Sequence, residues 1–150
     1  MPYTEKNDGN VRWWRMKGLG QNWNNDMPPA RFVKMTTYNL KRGKSSGFFR
    51  FWRNNVKLQK SLGYSGVSGV FMLQSGGQAF QVMEVEAFNS HAEGKGSFKN
   101  SDINYVEEYN KMFGWRSHRN DQAAYDAAIE QWGISIETAE LKPEMSSKLK

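Results

Sequence analysis

The chain has 150 residues, a formal net charge of +6 and 14% aromatic residues, a composition typical of one folded domain. The absence of cysteine excludes a disulfide framework, an iron–sulfur cluster and a cysteine nucleophile, and two histidines leave little for a metal site, so no metal is predicted. No apolar run reaches the roughly 20 residues of a membrane helix and the N-terminus is polar, so we expect a cytoplasmic protein with no membrane partner.

The first 30 residues are rich in asparagine, glycine and proline, which favour turns and interrupt helices. We therefore predict an irregular N-terminal arm over residues 1–30, ahead of an α+β domain over residues 31–142. Trp13, Trp14 and Trp23 are expected either to tie this arm to the domain or to form an exposed contact surface.

The elements of the domain follow from its hydrophobic pattern. Predicted strands are rich in β-branched and aromatic residues, and they cover residues 32–40, 67–74, 78–88 and 134–142. Predicted helices have apolar side chains at helical spacing, and they cover residues 48–62, 101–113 and 120–132. Ser46 and Gly63 are expected to cap the first helix, and the Ser75-Gly76-Gly77 turn should pair the second and third strands. The polar residues 143–150 are predicted to form a tail.

The order of these elements predicts a fold class. Strand, helix, strand, strand, helix, helix, strand is the order of a ferredoxin-like split βαβ unit with one extra helix. We therefore predict an α+β protein with a four-stranded antiparallel sheet and helices on one of its faces. The other face would be apolar and exposed, so a partner is expected to cover it.

Three segments carry a more specific pattern: Leu62-Gly63-Tyr64-Ser65-Gly66, the stretch Val85-Glu86-Ala87-Phe88-Asn89-Ser90-His91-Ala92-Glu93, and the late strand over residues 134–142. This pattern resembles the dimeric α/β barrel superfamily, which includes antibiotic-biosynthesis monooxygenase, NIPSNAP and stress-responsive barrel proteins. The resemblance implies a homodimer whose two sheets close into one barrel, with a pocket for a small apolar or aromatic ligand. It also implies monooxygenase-like or cyclase-like activity, although the family usually has tryptophan where this chain has Phe88.

Side chains alternate along the third predicted strand and give it two faces. The smaller and more apolar set is predicted to pack under the helices, and it comprises Ala79, Gln81, Met83, Val85 and Ala87. The other set is predicted to line the barrel or its pocket, and it comprises Phe80, Val82, Glu84, Glu86 and Phe88. Burial would raise the pKa of Glu84 or Glu86 and make it a general base. The alternative is that both glutamates form structural ion pairs with Lys34 or Lys142.

Further candidate site residues are aromatic or polar side chains near the same strands. Tyr38 and Asn39 end the first strand, and Asn39 with Trp52 is similar to the polar contacts of superfamily oxygenases that need no cofactor. Phe80 and Phe88 would add aromatic surface to a ligand pocket. Tyr38 and Trp52 could equally be core or interface aromatics.

His91 directly follows the third strand. Neutral imidazole can act as a general base or bind haem, and haem-degrading members of the resembled superfamily use a histidine in this region. His91 is therefore a catalytic candidate, and haem is the one cofactor that the resemblance suggests. The alternative is an ordinary loop histidine.

Positive charge is concentrated in the first 60 residues, which hold 13 basic and 3 acidic residues, whereas the remaining 90 hold 8 and 12. Basic residues beside stackable rings are typical of single-stranded nucleic-acid binding. The alternative function is therefore a non-enzymatic nucleic-acid-binding or assembly protein that uses Arg12, Trp13, Trp14, Arg15, Arg50, Arg53 and Lys57. One competing interpretation is an amphipathic helix with a solvated basic face. Another is self-association, in which the basic half of one copy meets the acidic half of a second copy. One exposed stripe of these residues would favour nucleic-acid binding.

Overall fold

The computed structural model describes residues 11–24, 26–76, 80–92, 96–142 and 144. In chain order the elements are β1 (Arg12–Arg15), β2 (Phe32–Leu40), α1 (Ser45–Ser61), β3 (Val67–Ser75), β4 (Gln81–Phe88), α2 (Tyr105–Phe113), α3 (Ser117–Ala128) and β5 (Ile129–Glu140). The predicted α+β class is confirmed. Residues 1–10 of the predicted arm, the start of the predicted third strand at residues 78 and 79, and the predicted tail apart from residue 144 lie outside the described residues. Within the described ranges, no helix is both long and apolar enough to cross a membrane.

The strands form one antiparallel sheet in the order β1-β3-β4-β2-β5. It has five strands rather than the predicted four, because part of the predicted irregular arm forms β1 and pairs with β3 at the edge of the sheet. Farther along the arm, Gln21 also pairs with Ser68 of β3 through reciprocal backbone hydrogen bonds of 2.9 Å. The arm is therefore partly built into the sheet, and this corrects the prediction that all of it is irregular.

The helices pack on one face of the sheet and bury an aromatic core. Its buried members are Leu19, Tyr38, Leu40, Phe48, Val70, Val82 and Ala128. The ring of Phe48 lies 5.3 Å from that of Tyr38 and stacks on Tyr125 at 4.8 Å between centroids. The predicted apolar stripe of α1 is therefore the surface that holds α1 against β2 and α3.

The helix boundaries differ from the sequence prediction in ways that have local causes. Lys44 rather than Ser46 is the N-cap of α1 and makes no side-chain capping bond, whereas Gly63 has the predicted left-handed conformation with φ of +67°. Asn104 rather than Ser101 caps α2, because its side chain accepts a hydrogen bond from the backbone N–H of Glu107.

The third predicted helix ends earlier than expected. It stops at Ala128, and residues 129–132 belong to β5 instead. Ile129 pairs with Leu40 of β2, and the register then shifts before Ile134 pairs with Tyr38. Trp132 lies in this irregularity with φ of +60° and is 92% exposed, so its predicted place at the end of a helix over residues 120–132 is wrong.

The predicted assignment of the two faces of β4 is also wrong. Val82 pairs with Tyr38 and is buried in the core, so Val82, Glu84, Glu86 and Phe88 face the helices. The set predicted to lie under the helices, Gln81, Met83, Val85 and Ala87, is on the uncovered face. The prediction assumed that the smaller and more apolar side chains of the strand lie under the helices. The helix-facing side instead contains a cavity that accommodates the Glu84 carboxylate, and the uncovered face is the more apolar one.

Candidate ligand cavity

A cavity of about 270 Å³ lies between α1 and the helix-facing side of the sheet. Strands β3 and β4 and the N-terminal arm form its other walls. It is lined by Leu19, Gln21, Tyr38, Phe51, Trp52, Asn55, Val56, Gln59, Ser68, Glu84 and Tyr125. Aromatic rings and polar groups thus line one small pocket that is partly open to solvent.

Two tyrosines and a tryptophan form the aromatic wall. Tyr38 and Trp52 meet edge to face at 5.8 Å between centroids, and the indole N–H of Trp52 donates to the backbone oxygen of Leu19 at 3.1 Å. The hydroxyl groups of Tyr38 and Tyr125 interact with each other. Burial is the main reason why the pKa values of Tyr38 and Tyr125 lie above the usual tyrosine range, and the charge of Glu84 raises both further. Both phenols are therefore neutral groups at physiological pH and not bases.

Gln21 supplies a polar group that is almost fully buried. Its Nε2 donates to the backbone oxygen of Val56 at 3.3 Å and to Oε1 of Gln59 at 2.7 Å. Its own Oε1 is buried and has no hydrogen-bond partner. Rotating the side-chain amide of Gln21 by 180° would place its Oε1 against the backbone carbonyl oxygen of Val56, and two acceptors repel each other. The contact with Val56 therefore fixes the orientation of this amide.

The two candidate glutamates have different surroundings. Glu84 lines the cavity, as a base acting on a bound ligand would need to do. Glu86 lies outside the lining, and its carboxylate is 3.7 Å from Nζ of Lys34. Glu86 and Lys34 therefore form one of the ion pairs that were predicted as the alternative to a general base.

The structure brings together only part of the predicted ligand site. Tyr38, Trp52 and Glu84 share the cavity. Asn39 faces the uncovered side of the sheet, where its Oδ1 accepts a hydrogen bond from Gln81 at 2.7 Å. Phe80 is half exposed and lines a separate surface groove with neighbours such as Phe49 and Met72. The predicted pairing of Asn39 with Trp52 is wrong because β2 directs neighbouring side chains to opposite faces.

The remaining candidates lie at the other end of β4. The ring of Phe88 stacks on Phe32 at 5.5 Å, and His91 lies 4.2 Å from Phe32 and 5.2 Å from Phe88. His91 is exposed on this pair, away from the residues that line the cavity. No group of three or more His, Cys, Asp and Glu suited to a metal occurs in the part of the chain that the structure describes.

The sequence analysis missed six polar or aromatic lining residues: Gln21, Phe51, Asn55, Gln59, Ser68 and Tyr125. Asn55 and Gln59 continue the same side of α1 as Trp52, so polar residues within the apolar stripe of this helix were the available signal. Gln21 gave no such signal, because it is placed by the pairing of the arm with β3.

The basic residues of the alternative function are divided between surfaces. Trp13 and Trp14 alternate along β1 and so point to opposite sides of the sheet, with Trp14 64% exposed. The Arg15 guanidinium lies over the Trp23 ring at 5.4 Å, and Nε of Arg50 donates to Asp121 at 2.9 Å. Arg12, Arg53 and Lys57 are exposed. The set as a whole does not form the one exposed stripe that would favour nucleic-acid binding.

Comparison with known proteins gives little guidance on function. No family model matches the chain, and no curated protein is significantly similar to it. Among solved structures, the chain is similar to the protein Atu4242 from Agrobacterium tumefaciens, known from a structural genomics crystal structure. The two are 21% identical, the match covers 79% of this chain and 99% of the other, and the TM-score is 0.43.

Proposed function

We propose that this protein binds a small planar ligand in the cavity between α1 and the sheet. The observation that carries the proposal is a pocket in which the rings of Tyr38, Trp52 and Tyr125 lie beside the polar side chains of Gln21 and Glu84. At about 270 Å³ the cavity is slightly smaller than common ligand pockets of about 300–1,000 Å³, which suits a single substituted ring.

A reaction on such a ligand would use Glu84 as its base. The phenols of Tyr38 and Tyr125 keep their protons, because their pKa values are raised, and so serve as neutral hydrogen-bonding groups. A carboxylate beside the ligand can accept a proton from it. Monooxygenase-like or cyclase-like activity would therefore depend on Glu84 and not on His91.

We further propose that two copies associate through the uncovered face of the sheet, as in a dimeric α/β barrel. Strands β2 to β5 follow the order β3-β4-β2-β5, which is the antiparallel arrangement of a ferredoxin-like unit, with β1 added at its edge. Register places several apolar side chains on the uncovered face, among them Val33, Met35, Met83 and Val85. Burying such a face against a second copy is favourable because it removes apolar area from water.

The ligand proposal can be tested by following the indole N–H of Trp52 in NMR spectra while small planar compounds are added. Ligand in the cavity should shift this resonance, since the ring lines the site and its N–H is held by Leu19. Ser68→Leu should fill the cavity and abolish the shift. Ser46→Leu makes the same substitution at an exposed position of α1 and should leave binding intact.

Two outcomes would count against a ligand cavity. One is that no planar compound moves the Trp52 resonance in the unmodified protein. The other is that Ser68→Leu, confirmed as folded by its circular dichroism spectrum, binds as well as the Ser46→Leu control.

A further inference from the structure

We infer that the outer edge of β5 binds an extended peptide of another protein, one in which apolar and basic side chains alternate. The peptide adds a strand to the sheet beside Ile134, Ile136 and Thr138. This inference goes beyond the proposed function and does not depend on it, because no residue of this edge lines the cavity.

The first step concerns the backbone of β5, whose residues point alternately toward β2 and away from it. The N–H of Leu141 donates to the backbone oxygen of Arg31 at 2.7 Å, so in this register the odd-numbered residues bond to β2. No described strand pairs with the other edge of β5. The residues that direct their N–H and C=O groups to this open edge are Ile134, Ile136, Thr138 and Glu140.

The second step concerns two side chains that form an exposed apolar strip on the helix-facing side of β5. Ile134 lies opposite Tyr38 and Ile136 lies opposite Thr36, and both of these partners on β2 are buried. The isoleucines are nevertheless 49% and 60% exposed, so the helices that cover β2 leave this part of β5 bare. A strand added at the edge places its own apolar side chains beside the isoleucines and removes apolar area from water.

The third step concerns the features that normally protect an exposed edge, which are lysine, proline, a bulge or a very short strand. The register of β5 shifts only before Ile134. From Ile134 to Glu140 the strand contains no lysine or proline and pairs regularly with β2. This edge therefore remains suited to the addition of a strand, which is a common way to bind a peptide.

The fourth step concerns charge. The strand β5 carries three glutamates and no lysine or arginine. Glu140 is paired with Arg31 at 3.1 Å and with Lys142 at 2.8 Å. Glu130 and Glu137 are exposed and form no ion pair with a described residue. The open edge is therefore acidic.

The position of Glu137 indicates the pattern of the peptide that fits. Its side chain lies on the side of β5 opposite to Ile134 and Ile136. A strand that places apolar side chains beside the isoleucines places the intervening ones on the side of Glu137, where basic groups meet an opposite charge. A second copy of β5 would add three more carboxylates to the edge and no cation, so it fits less well.

Amide hydrogen exchange of the unmodified protein tests this inference residue by residue. The probe is a synthetic peptide of alternating lysine and valine, blocked at both ends, and its control has glutamate in place of every lysine. Without peptide, Ser135 and Glu137 should be protected by β2, while Ile134, Ile136 and Thr138 exchange quickly. Exchange at these three amides should slow about tenfold when about nine-tenths of the protein carries the lysine peptide, because only the free fraction exchanges. The glutamate peptide should not slow it.

Variants of β5 separate the backbone contribution from the charge. Thr138→Pro removes an outward N–H but no bond to β2, a position at which an edge strand tolerates proline. It should weaken binding of the lysine peptide about tenfold, whereas Thr138→Val keeps the N–H and should bind at least as well as the unmodified protein. Glu137→Gln should weaken binding about threefold, as the loss of one exposed ion pair does.

Several results would overturn the inference. Protection of Ile134, Ile136 and Thr138 without peptide would show that the edge is already occupied, by a second copy if it depends on protein concentration and by a segment of the same chain if it does not. Equal protection by both peptides, or by neither, would contradict the match of charge. Unchanged affinity in Thr138→Pro, confirmed as folded by its circular dichroism spectrum, would place the peptide elsewhere.

Discussion

Four tyrosines pack either between the sheet and the helices or between two helices, and their hydroxyl groups have raised pKa values. Burial is the largest cause that raises the pKa values of Tyr38, Tyr105, Tyr109 and Tyr125 above the usual range. Tyr38 and Tyr125 line the cavity, whereas the hydroxyl of Tyr109 donates to Asp121 at 2.9 Å. Ionisation of these buried phenols should therefore contribute to the way in which the free energy of unfolding changes with pH.

We predict that the protein loses stability in alkaline solution as the pH rises above about 10. In the unfolded chain tyrosine has a pKa of about 10, while the buried phenols keep their protons to higher pH. Their contribution is fully present below pH 10 and is lost as the pH rises toward the folded pKa, because only the unfolded state releases protons. The measurement is urea unfolding at several pH values between 8 and 11.

Tyr38→Phe provides the comparison for this pH series. It removes one raised phenol and its hydrogen bond to Tyr125, so we expect a loss of about 1 kcal/mol at pH 8. The decline of stability with pH should then be shallower than in the unmodified protein. An equal slope in both proteins would show that Tyr38 does not retain its proton in the folded state.

At the scale of elements, one carboxylate joins the three helices. Asp121 of α3 is nearly buried and accepts hydrogen bonds from Nε of Arg50 at 2.9 Å and from Nδ2 of Asn54 at 3.1 Å, both on α1. It also accepts the bond from Tyr109 of α2. Asn55 of α1 accepts a further bond from the Tyr105 hydroxyl at 2.5 Å. Since α1 carries Trp52, this network fixes the wall of the cavity that is farthest from the sheet.

We predict that Asp121→Ala lowers the free energy of unfolding by about 3 kcal/mol. The variant leaves three donors without their acceptor, and among them the buried hydroxyl of Tyr109 and the partly buried amide of Asn54 are costly to leave unpaired. Asp126→Ala removes an exposed carboxylate from the same helix and should change stability by less than about 0.5 kcal/mol. Urea unfolding of both variants gives the measurement, and equal losses would contradict the joining role of Asp121.

Element boundaries show what the sequence could and could not predict. The order of strands and helices over residues 31–142 could be read from local patterns, because each element has its own periodicity. The strand β1 could not, since its four residues become a strand only by pairing with β3, which is distant in sequence. The end of α3 was misplaced for a similar reason, because Ile129 leaves the helix to pair with Leu40.

At the scale of the whole molecule, the candidate site is a product of the tertiary structure. Tyr38, Trp52 and Glu84 could be chosen from the sequence because aromatic and acidic residues stand out in regular elements. Gln21 could not, because it belongs to the arm and enters the cavity only through its bridge to Ser68. The wrong face of β4 was chosen because alternation defines two faces but does not say which one the helices cover.

The assembly proposed for the whole molecule uses the apolar, uncovered face of the sheet, with one ligand cavity on the helix side of each copy. Val85 lies on this face in the central strand β4 and pairs with Met35 of β2. Val85→Lys should therefore disrupt the dimer, because a charged side chain in an apolar interface is costly to desolvate. Gln122→Lys adds the same charge at an exposed position of α3 and should leave the dimer intact.

Native mass spectrometry of the protein, purified without added ligand, tests the central claim most directly. We predict a dimer that carries a discrete small-molecule mass on each subunit, a monomer for Val85→Lys, and loss of the bound mass for Ser68→Leu. A monomer without a bound small molecule, or one carrying heterogeneous nucleic acid, would contradict the account. So would a bound mass that persists in Ser68→Leu, because the ligand would then lie outside the cavity.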